Sequence, residues 1–193
     1  KKHLNKISFS KEKYNLYDDV RQLFGYELNQ AHNFTNEKYD LFTELGKDSH
    51  TVYHKKFYHQ IDSFGGWPSF VQKYHSLIEE VVLPYLGLDE ALVQIYPSFR
   101  VHLPDNVAVV MKHHDSDNNH KHPKGEINFI YALTDMFDTN TIKVEKMPRS
   151  GDFLSMEMKK GDCISFNGNM CDHYNEINKT GVTRVSFDFR VLP

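Results

Sequence analysis

Hydrophobic spacing changes character near residue 90. Upstream the pattern is helical. In PSFVQKYHSLIEEVVLPYLGL, Phe70, Tyr74, Leu77, Ile78, Val81 and Tyr85 recur at steps of three and four, which lines one face of an α-helix. Pro68 suits the first turn, where its missing N–H is not needed, and Gly87 suits the stop. YNLYDDVRQLF and NEKYDLFTEL predict two shorter helices, and GGWP at residues 65–68 predicts a turn. Downstream, short apolar runs alternate with turn residues. LVQIY, SFRVHL, VAVVMKH, EINFIYAL, NTIKVEKM, DFLSMEM, DCISFN and VTRVSFDFRVL read as strands, broken by LPDN, PRSGD, KKGD, NGN and NKTG. About eight short antiparallel strands predict a sandwich or jelly roll. The class is therefore mainly β with N-terminal helices, which cover one outer sheet face. We expect a single domain over 1–193, with a helical region over 1–90 packing on a β-core over 91–193.

The last strand carries the most information. In TRVSFDFRVL, Val185, Phe187, Phe189 and Val191 share one face; Arg184, Ser186, Asp188 and Arg190 share the other. The ordinary arrangement turns such a polar face to water. The alternative packs the apolar face under the N-terminal helices and points the polar face into the barrel. Buried arginines are costly unless an anion meets them, so this second arrangement requires an acidic ligand.

Composition narrows the function classes. The chain has 193 residues, 25% of them charged, and a net charge of −3 with histidine neutral. That balance gives no general attraction to nucleic acid or anionic membranes. Two cysteines, Cys163 and Cys171, are too few for a disulfide framework and suit a reducing, cytoplasmic setting. No apolar run has the length of a bilayer crossing, and no signal-peptide pattern is expected. A small molecule, polar or acidic, is the expected partner, with no nucleic acid and no membrane.

The densest chemistry lies in HHDSDNNHKH, residues 113–122. One metal reading takes His113 and Asp115. Two residues apart on an extended segment, they point the same way. His173 follows after fifty-seven intervening residues, enough for several strands to turn back beside the pair. Two histidines and one carboxylate on one face leave open positions on a metal, the facial triad of non-haem Fe(II) oxygenases. Ten residues lie between His173 and Arg184, which begins an R-x-S with Ser186; a guanidinium there suits a carboxylate. A second reading takes His120, His122 and Glu126 with His173, a cupin-like set and a non-oxidative enzyme. It lacks the framing glycines and gives Arg184 and Ser186 no role. The bland reading is a solvated polar loop, or a metal-free ligand-binding barrel.

The string H-x-D…H…R-x-S resembles the Fe(II)- and 2-oxoglutarate-dependent dioxygenases over residues 93–192. More narrowly, FRVHLPDN, HHDSD, KGEINF, TNTIKVE and TRVSFDFR are similar to oxygenase-like proteins associated with streptomycin biosynthesis. The resemblance implies a double-stranded β-helix, a jelly-roll, cupin-like core. It implies that His113, Asp115 and His173 bind iron and are the catalytic centre, and that Arg184 binds the distal carboxylate of 2-oxoglutarate, with Ser186 assisting. It implies Fe(II), 2-oxoglutarate and O2 as cofactor and co-substrates, with hydroxylation of a small molecule as the default outcome; Asp115 disfavours halogenation. It assigns nothing to His114, Asp117, His120 or Glu126.

Several other residues have two readings. Asn128 alternates with Phe129, so it either faces the barrel near 2-oxoglutarate or satisfies backbone. Arg100 reaches an acidic ligand or makes a surface ion pair. Arg190 competes with Arg184 for the carboxylate unless Asp188 neutralises it. Trp67 forms a lid or packs at a helix start. Cys163 reads as a small buried hydrophobe and Cys171 as a loop thiol. His32, His50, His54, His59 and His75 lack partner spacing and read as ordinary surface or core residues.

Overall fold

The computed structural model describes residues 4–35, 51–106 and 111–193. The helix expected from NEKYDLFTEL, the residue His50 and the first four residues of VAVVMKH lie outside the described residues.

The helices come first. Helix α1 (Leu16–Phe24) starts where the Asn15 side chain accepts from the Asp18 N–H, satisfying an otherwise unpaired donor of the first turn. A 3₁₀ segment, Leu28–Phe34, follows, and α2 (Val52–Asp62) begins at Thr51, whose side chain accepts from the His54 N–H. Neither was legible as a separate element, because their apolar residues are too widely spread. The long apolar stripe after Pro68 forms as expected but is not one regular helix. It runs as α3 (Pro68–Leu77), a π-helical turn (Ile78–Val82) and α4 (Leu83–Leu86). The π turn inserts one residue into the helical phase. Phe70, Tyr74, Leu77 and Ile78 are buried as the spacing predicts, but Val82 replaces Val81 in the core, and Tyr85 is 42% exposed. Gly87 ends the run at φ 71°, a left-handed conformation glycine adopts without strain.

The β-part forms two antiparallel sheets. In the larger, β1 (Asn5–Lys6), β7 (Cys163–Phe166), β4 (Ile127–Ala132) and β9 (Arg184–Leu192) lie side by side; β2 (Leu92–Val93) and β3 (Ser98–His102) both pair with the far edge of β9. The smaller sheet has the order β6 (Phe153–Met156), β5 (Ile142–Glu145), β8 (His173–Asn175). Segment LVQIY keeps only two residues in a strand, and β8 was not anticipated, because HYN has no alternation to read.

β9 settles which of its faces meets the helices. Phe187 stacks on Tyr131 of β4 at 4.9 Å, and Phe189 on Phe129 at 5.2 Å. Helix α3 closes over them, with Phe70 edge-on to Phe187 at 5.9 Å and Tyr74 edge-on to Phe189 at 5.5 Å. Phe57 of α2 stacks on Phe99 of β3 at 4.3 Å. Each such ring taken fully from water contributes about 1.5–3 kcal/mol. The opposite face of β9 points between the sheets, where Ile130, Val144, Met156, Ile164 and Phe166 form a second apolar cluster beside a polar cavity. Trp67 stacks on Phe70 at 4.6 Å, so it packs at the start of α3.

Candidate active site

His113 and His173 meet across a short antiparallel bridge. The His113 N–H donates to the His173 carbonyl at 3.2 Å, and the His173 N–H returns the bond at 2.8 Å. Directly opposed residues on such a pair project side chains to the same face. The imidazole centroids are 4.5 Å apart. Asp115, two residues past His113, joins them: its Oδ1 lies 3.6 Å from the Nε2 of each histidine. Among the described residues, His113, Asp115 and His173 are the group of possible ligands whose atoms converge, all within 4.8 Å of one another.

The backbone sets the protonation of both rings. His113 Nδ1 bonds the Met111 carbonyl at 2.8 Å, and His173 Nδ1 bonds the Cys171 carbonyl at 3.1 Å. A carbonyl only accepts, so each Nδ1 carries the hydrogen and each Nε2 presents a lone pair. Burial lowers the pKa of both histidines, which favours this neutral form. Burial opposes the charge on Asp115, but the Arg190 guanidinium overcomes it and holds the carboxyl at about 2. Three lone pairs therefore aim at one point with no proton between them, an arrangement that a divalent cation satisfies and that is repulsive without one.

The other oxygen of Asp115 is occupied. Oδ2 accepts from Asn128 Nδ2 at 2.7 Å and from Arg190 Nε at 2.8 Å. Arg190 therefore does not compete with Arg184; it faces Asp115, with Asp188 Oδ2 a further 3.4 Å contact. Asn128, 2% exposed, lies on Asp115 and lines the same cavity as Arg184. Its Oδ1 is buried without a hydrogen-bond partner. Arg100 pairs with Asp188 at 2.7 Å inside this network and lines the same cavity as Arg184.

Arg184 is 1% exposed. Its Nη1 donates to Ser186 Oγ at 2.9 Å, its Nη2 to Asn175 Oδ1 at 2.5 Å, and its Nε to the Asn140 carbonyl at 3.1 Å. Nη2 also lies 3.4 Å from His102 Nδ1. Burial lowers the Arg184 pKa to about 9, so the group remains a cation at neutral pH. Burial, followed by the neighbouring Arg184 charge, drives His102 down to about 3, so it is neutral beside the guanidinium. No carboxylate among the described residues comes within 4.0 Å of Arg184. A buried cation hydrogen-bonded only to neutral groups is costly unless an anion meets it. The same cavity is lined by Arg184, Asn175, His113, His173 and Asn128, so the cation and the converging lone pairs share one chamber.

The rest of HHDSDNNHKH folds back over the triad. His114 points away and bonds Asp172 at 2.8 Å. Asp117 caps the turn, accepting from the N–H groups of Asn119 and His120 and from the His120 ring at 2.8 Å. That places the His120 ring against His113, centroids 4.1 Å apart. His122 bonds Glu126 at 3.0 Å. His120, His122 and Glu126 do not converge with His173 on a common point.

Two features of the site escaped sequence reasoning. Gly168 sits in NGN, read only as a turn; its carbonyl accepts the Asp115 N–H at 2.9 Å, and a Cβ there would meet Asn128 Cγ at 2.9 Å and Phe166 at 2.7 Å. Asn175 holds Arg184 from a strand too short to recognise. Cys171 lies in a bend before β8, as a loop thiol, but it is buried in the cluster of Ile130, Val144 and Met156; both cysteines are free. His32 bonds Thr183, and His75 bonds the Ile95 carbonyl, both far from the triad in sequence and role.

No protein-family model matches the chain. It is 34% identical over 146 residues to the streptomycin biosynthesis protein StrG of Streptomyces griseus, covering 76% of this chain and 65% of that protein. The chain thus spans slightly under two thirds of that relative's length. Among solved structures, the carbocyclase SnoK of nogalamycin biosynthesis, described as non-haem and α-ketoglutarate dependent, aligns with TM-score 0.55 at 11% identity over 98% of this chain and 79% of its own. AviO1 of Streptomyces viridochromogenes aligns with TM-score 0.55 at 10% identity over 100% and 90%. A viral collagen prolyl hydroxylase of Paramecium bursaria Chlorella virus 1, solved with 2-oxoglutarate, aligns with TM-score 0.51 at 12% identity over 98% and 96%. The chain resembles a streptomycin biosynthesis protein in sequence and the Fe(II)/2-oxoglutarate oxygenases in fold.

Proposed function

We propose that the protein is an Fe(II)- and 2-oxoglutarate-dependent oxygenase that hydroxylates a small molecule. The observation that carries this reading is the pairing, in one cavity, of three converging ligand atoms with a buried guanidinium that has no carboxylate partner. The donor set fits the metal: two neutral imidazoles and one carboxylate on one face suit Fe(II) and leave open positions. The charges lining the cavity suit the co-substrate, a dianion with one end for the metal and one for Arg184. We read the two sheets as a double-stranded β-helix and the chain as one domain, with the helices bracing the outside of the larger sheet. No helix among the described residues is long and apolar enough to cross a membrane. Two free cysteines suit cytoplasmic conditions, and the acidic balance suits a small-molecule partner over nucleic acid.

When bound, the metal supplies the oxidation, in which 2-oxoglutarate, O2 and a C–H bond of the substrate become succinate, carbon dioxide and an alcohol. The chain's own residues do the rest. His113, Asp115 and His173 would hold the metal, with both Nδ1 protons committed to backbone carbonyls so that the rings cannot turn. Arg184, with Ser186 beside it, binds the distal carboxylate through a planar fork in a dry pocket, where a charge-assisted pair is strong. Asn175 and the Asn140 carbonyl fix that fork before the ligand arrives. Burial around Phe166 and Ile142 excludes water from the chamber.

Carbon dioxide release from 1-labelled 2-oxoglutarate tests this reading. With Fe(II) and O2 the protein should show slow release without substrate. Asp115→Ala should abolish it by removing a ligand and its charge. His114→Ala should retain most of it, because that ring points to Asp172. Iron demonstrably bound with no release would favour a non-oxidative enzyme, and equal losses in the two variants would show that the ligand is misassigned.

A further inference from the structure

The second oxygen of Asp115 has more invested in it than a ligand carboxylate needs. Its two donors come from opposite partners in the sheet: Asn128 of β4 and Arg190 of β9 are paired residues in the register. Asn128 is 2% exposed, and the Arg190 side chain is 14% exposed. Arg190 is itself held by Asp188 at 3.4 Å, with Glu126 at 3.9 Å, and Asp188 is held in turn by Arg100 at 2.7 Å. Gly168 leaves room for this arrangement, since any side chain there would displace Asn128. The consequence is geometric. Oδ1 faces the two imidazoles, and Oδ2 is turned away and saturated by two N–H donors.

We infer that Arg190 and Asn128 are positioning residues that restrict Asp115 to one-oxygen ligation and so keep open the one metal position that remains once a two-point co-substrate is bound. This rests on the metal site proposed above. A carboxylate that binds through both oxygens takes two positions of an octahedral metal. With two histidines that makes four, leaving two for a two-point co-substrate and none for a further ligand. Held by one oxygen, Asp115 leaves three. The sheet supplies this restraint before any metal arrives, because both donors sit on rigid neighbouring strands.

Co(II) is the probe, since its visible spectrum responds to coordination number; 2-oxoglutarate is the two-point ligand, and azide, added last, is the one-point ligand. In Arg190→Met the freed Oδ2 joins the metal. The Co(II) spectrum should then differ from wild type before 2-oxoglutarate is added, and azide affinity for the Co(II)–2-oxoglutarate form should fall about tenfold or more, the scale on which losing a partner of a metal ligand acts. 2-Oxoglutarate affinity should change much less, because two positions remain for it. Arg190→Lys, which keeps one charged donor, should recover most of the azide affinity. Asn128→Ser should shift the spectrum in the same direction by a smaller amount, so the inference stands on a second variant should Arg190→Met fold poorly. Spectra and azide affinities of these variants that superimpose on wild type would overturn it, as would a lysine variant as defective as methionine. Failure of the wild-type protein to bind Co(II) at the triad would instead bring down the metal site itself.

Discussion

The two faces of β9 have the same length and opposite chemistry, and at the Arg184 end of the strand both are fully buried. Val185, Phe187, Phe189 and Val191 lie under the helices and are at most 2% exposed. Arg184 and Ser186, at 1% and 0%, are buried as deeply, facing the smaller sheet. The apolar face has its partners within the chain: every ring on it touches another. The polar face is partnered unevenly: Asp188 and Arg190 sit in the Asp115–Arg190–Asp188–Arg100 chain of ion pairs, whereas Arg184 hydrogen-bonds only neutral groups. One face is where the fold gains its stability; the other is where that stability is used to hold groups in an arrangement that, alone, costs free energy. An alternating strand need not have a wet side.

That contrast is sharpest in stability measurements. Phe187→Ala removes a ring stacked on Tyr131 and packed edge-on to Phe70. It should lower the free energy of unfolding by about 3–5 kcal/mol in urea titration, as deletions of buried rings do. Arg184→Met lies three residues away on the opposite face and should do nothing of the kind. Replacing a buried, carboxylate-free cation with an apolar chain of similar length should leave the metal-free melting temperature unchanged or raise it. If Arg184→Met proved as damaging as Phe187→Ala, the polar face would be structural and the contrast would fail.

A smaller effect concerns acid. His102 bonds the Asn106 carbonyl through Nε2 and faces Arg184 through Nδ1. Its folded pKa is about 3, against an ordinary value of 6.5, so between these values the unfolded chain binds a proton that the folded chain does not. Its contribution to stability is complete above about pH 6.5 and is lost as pH falls toward 3. His113 and His173 share the sign, since burial lowers them too. His102→Gln should therefore flatten part of the acid limb of stability against pH without removing it. An unchanged limb would mean that burial and the Arg184 charge do not hold His102 neutral in the folded protein.

Much of this was legible in the sequence, for identifiable reasons. The alternation in TRVSFDFRVL assigned both faces of β9, because a period of two leaves no other division. The H-x-D pair was legible because extended residues two apart must share a side. His173 was read as the third ligand from its place after DCISFN and its distance from Asp115, although nothing in NGNMCDHYNEI marks a strand. Arg190 was on the correct face, and its pairing with Asp188 was anticipated, but its second partner was not: alternation gives a side, and only the register between β4 and β9 places it opposite Asn128, with Asp115 beside both. The π turn at Ile78–Val82 was invisible, because a one-residue phase shift still leaves apolar residues at plausible spacings. Gly168 was invisible because a turn glycine and a close-approach glycine look alike until the neighbour is placed.

The central claim is that the triad and Arg184 bind the two ends of one 2-oxoglutarate molecule. Anaerobic titration of the Fe(II)-loaded protein with 2-oxoglutarate, followed by the visible charge-transfer absorption that the chelated complex gives, tests it most directly. The account predicts a saturable band in the wild type, a band in Arg184→Met only at concentrations about a hundredfold or more higher, the scale expected on truncating one partner of a buried charge pair, and none in Asp115→Ala. A wild-type band with the same affinity in Arg184→Met, or no band in wild-type protein with iron bound, would contradict it.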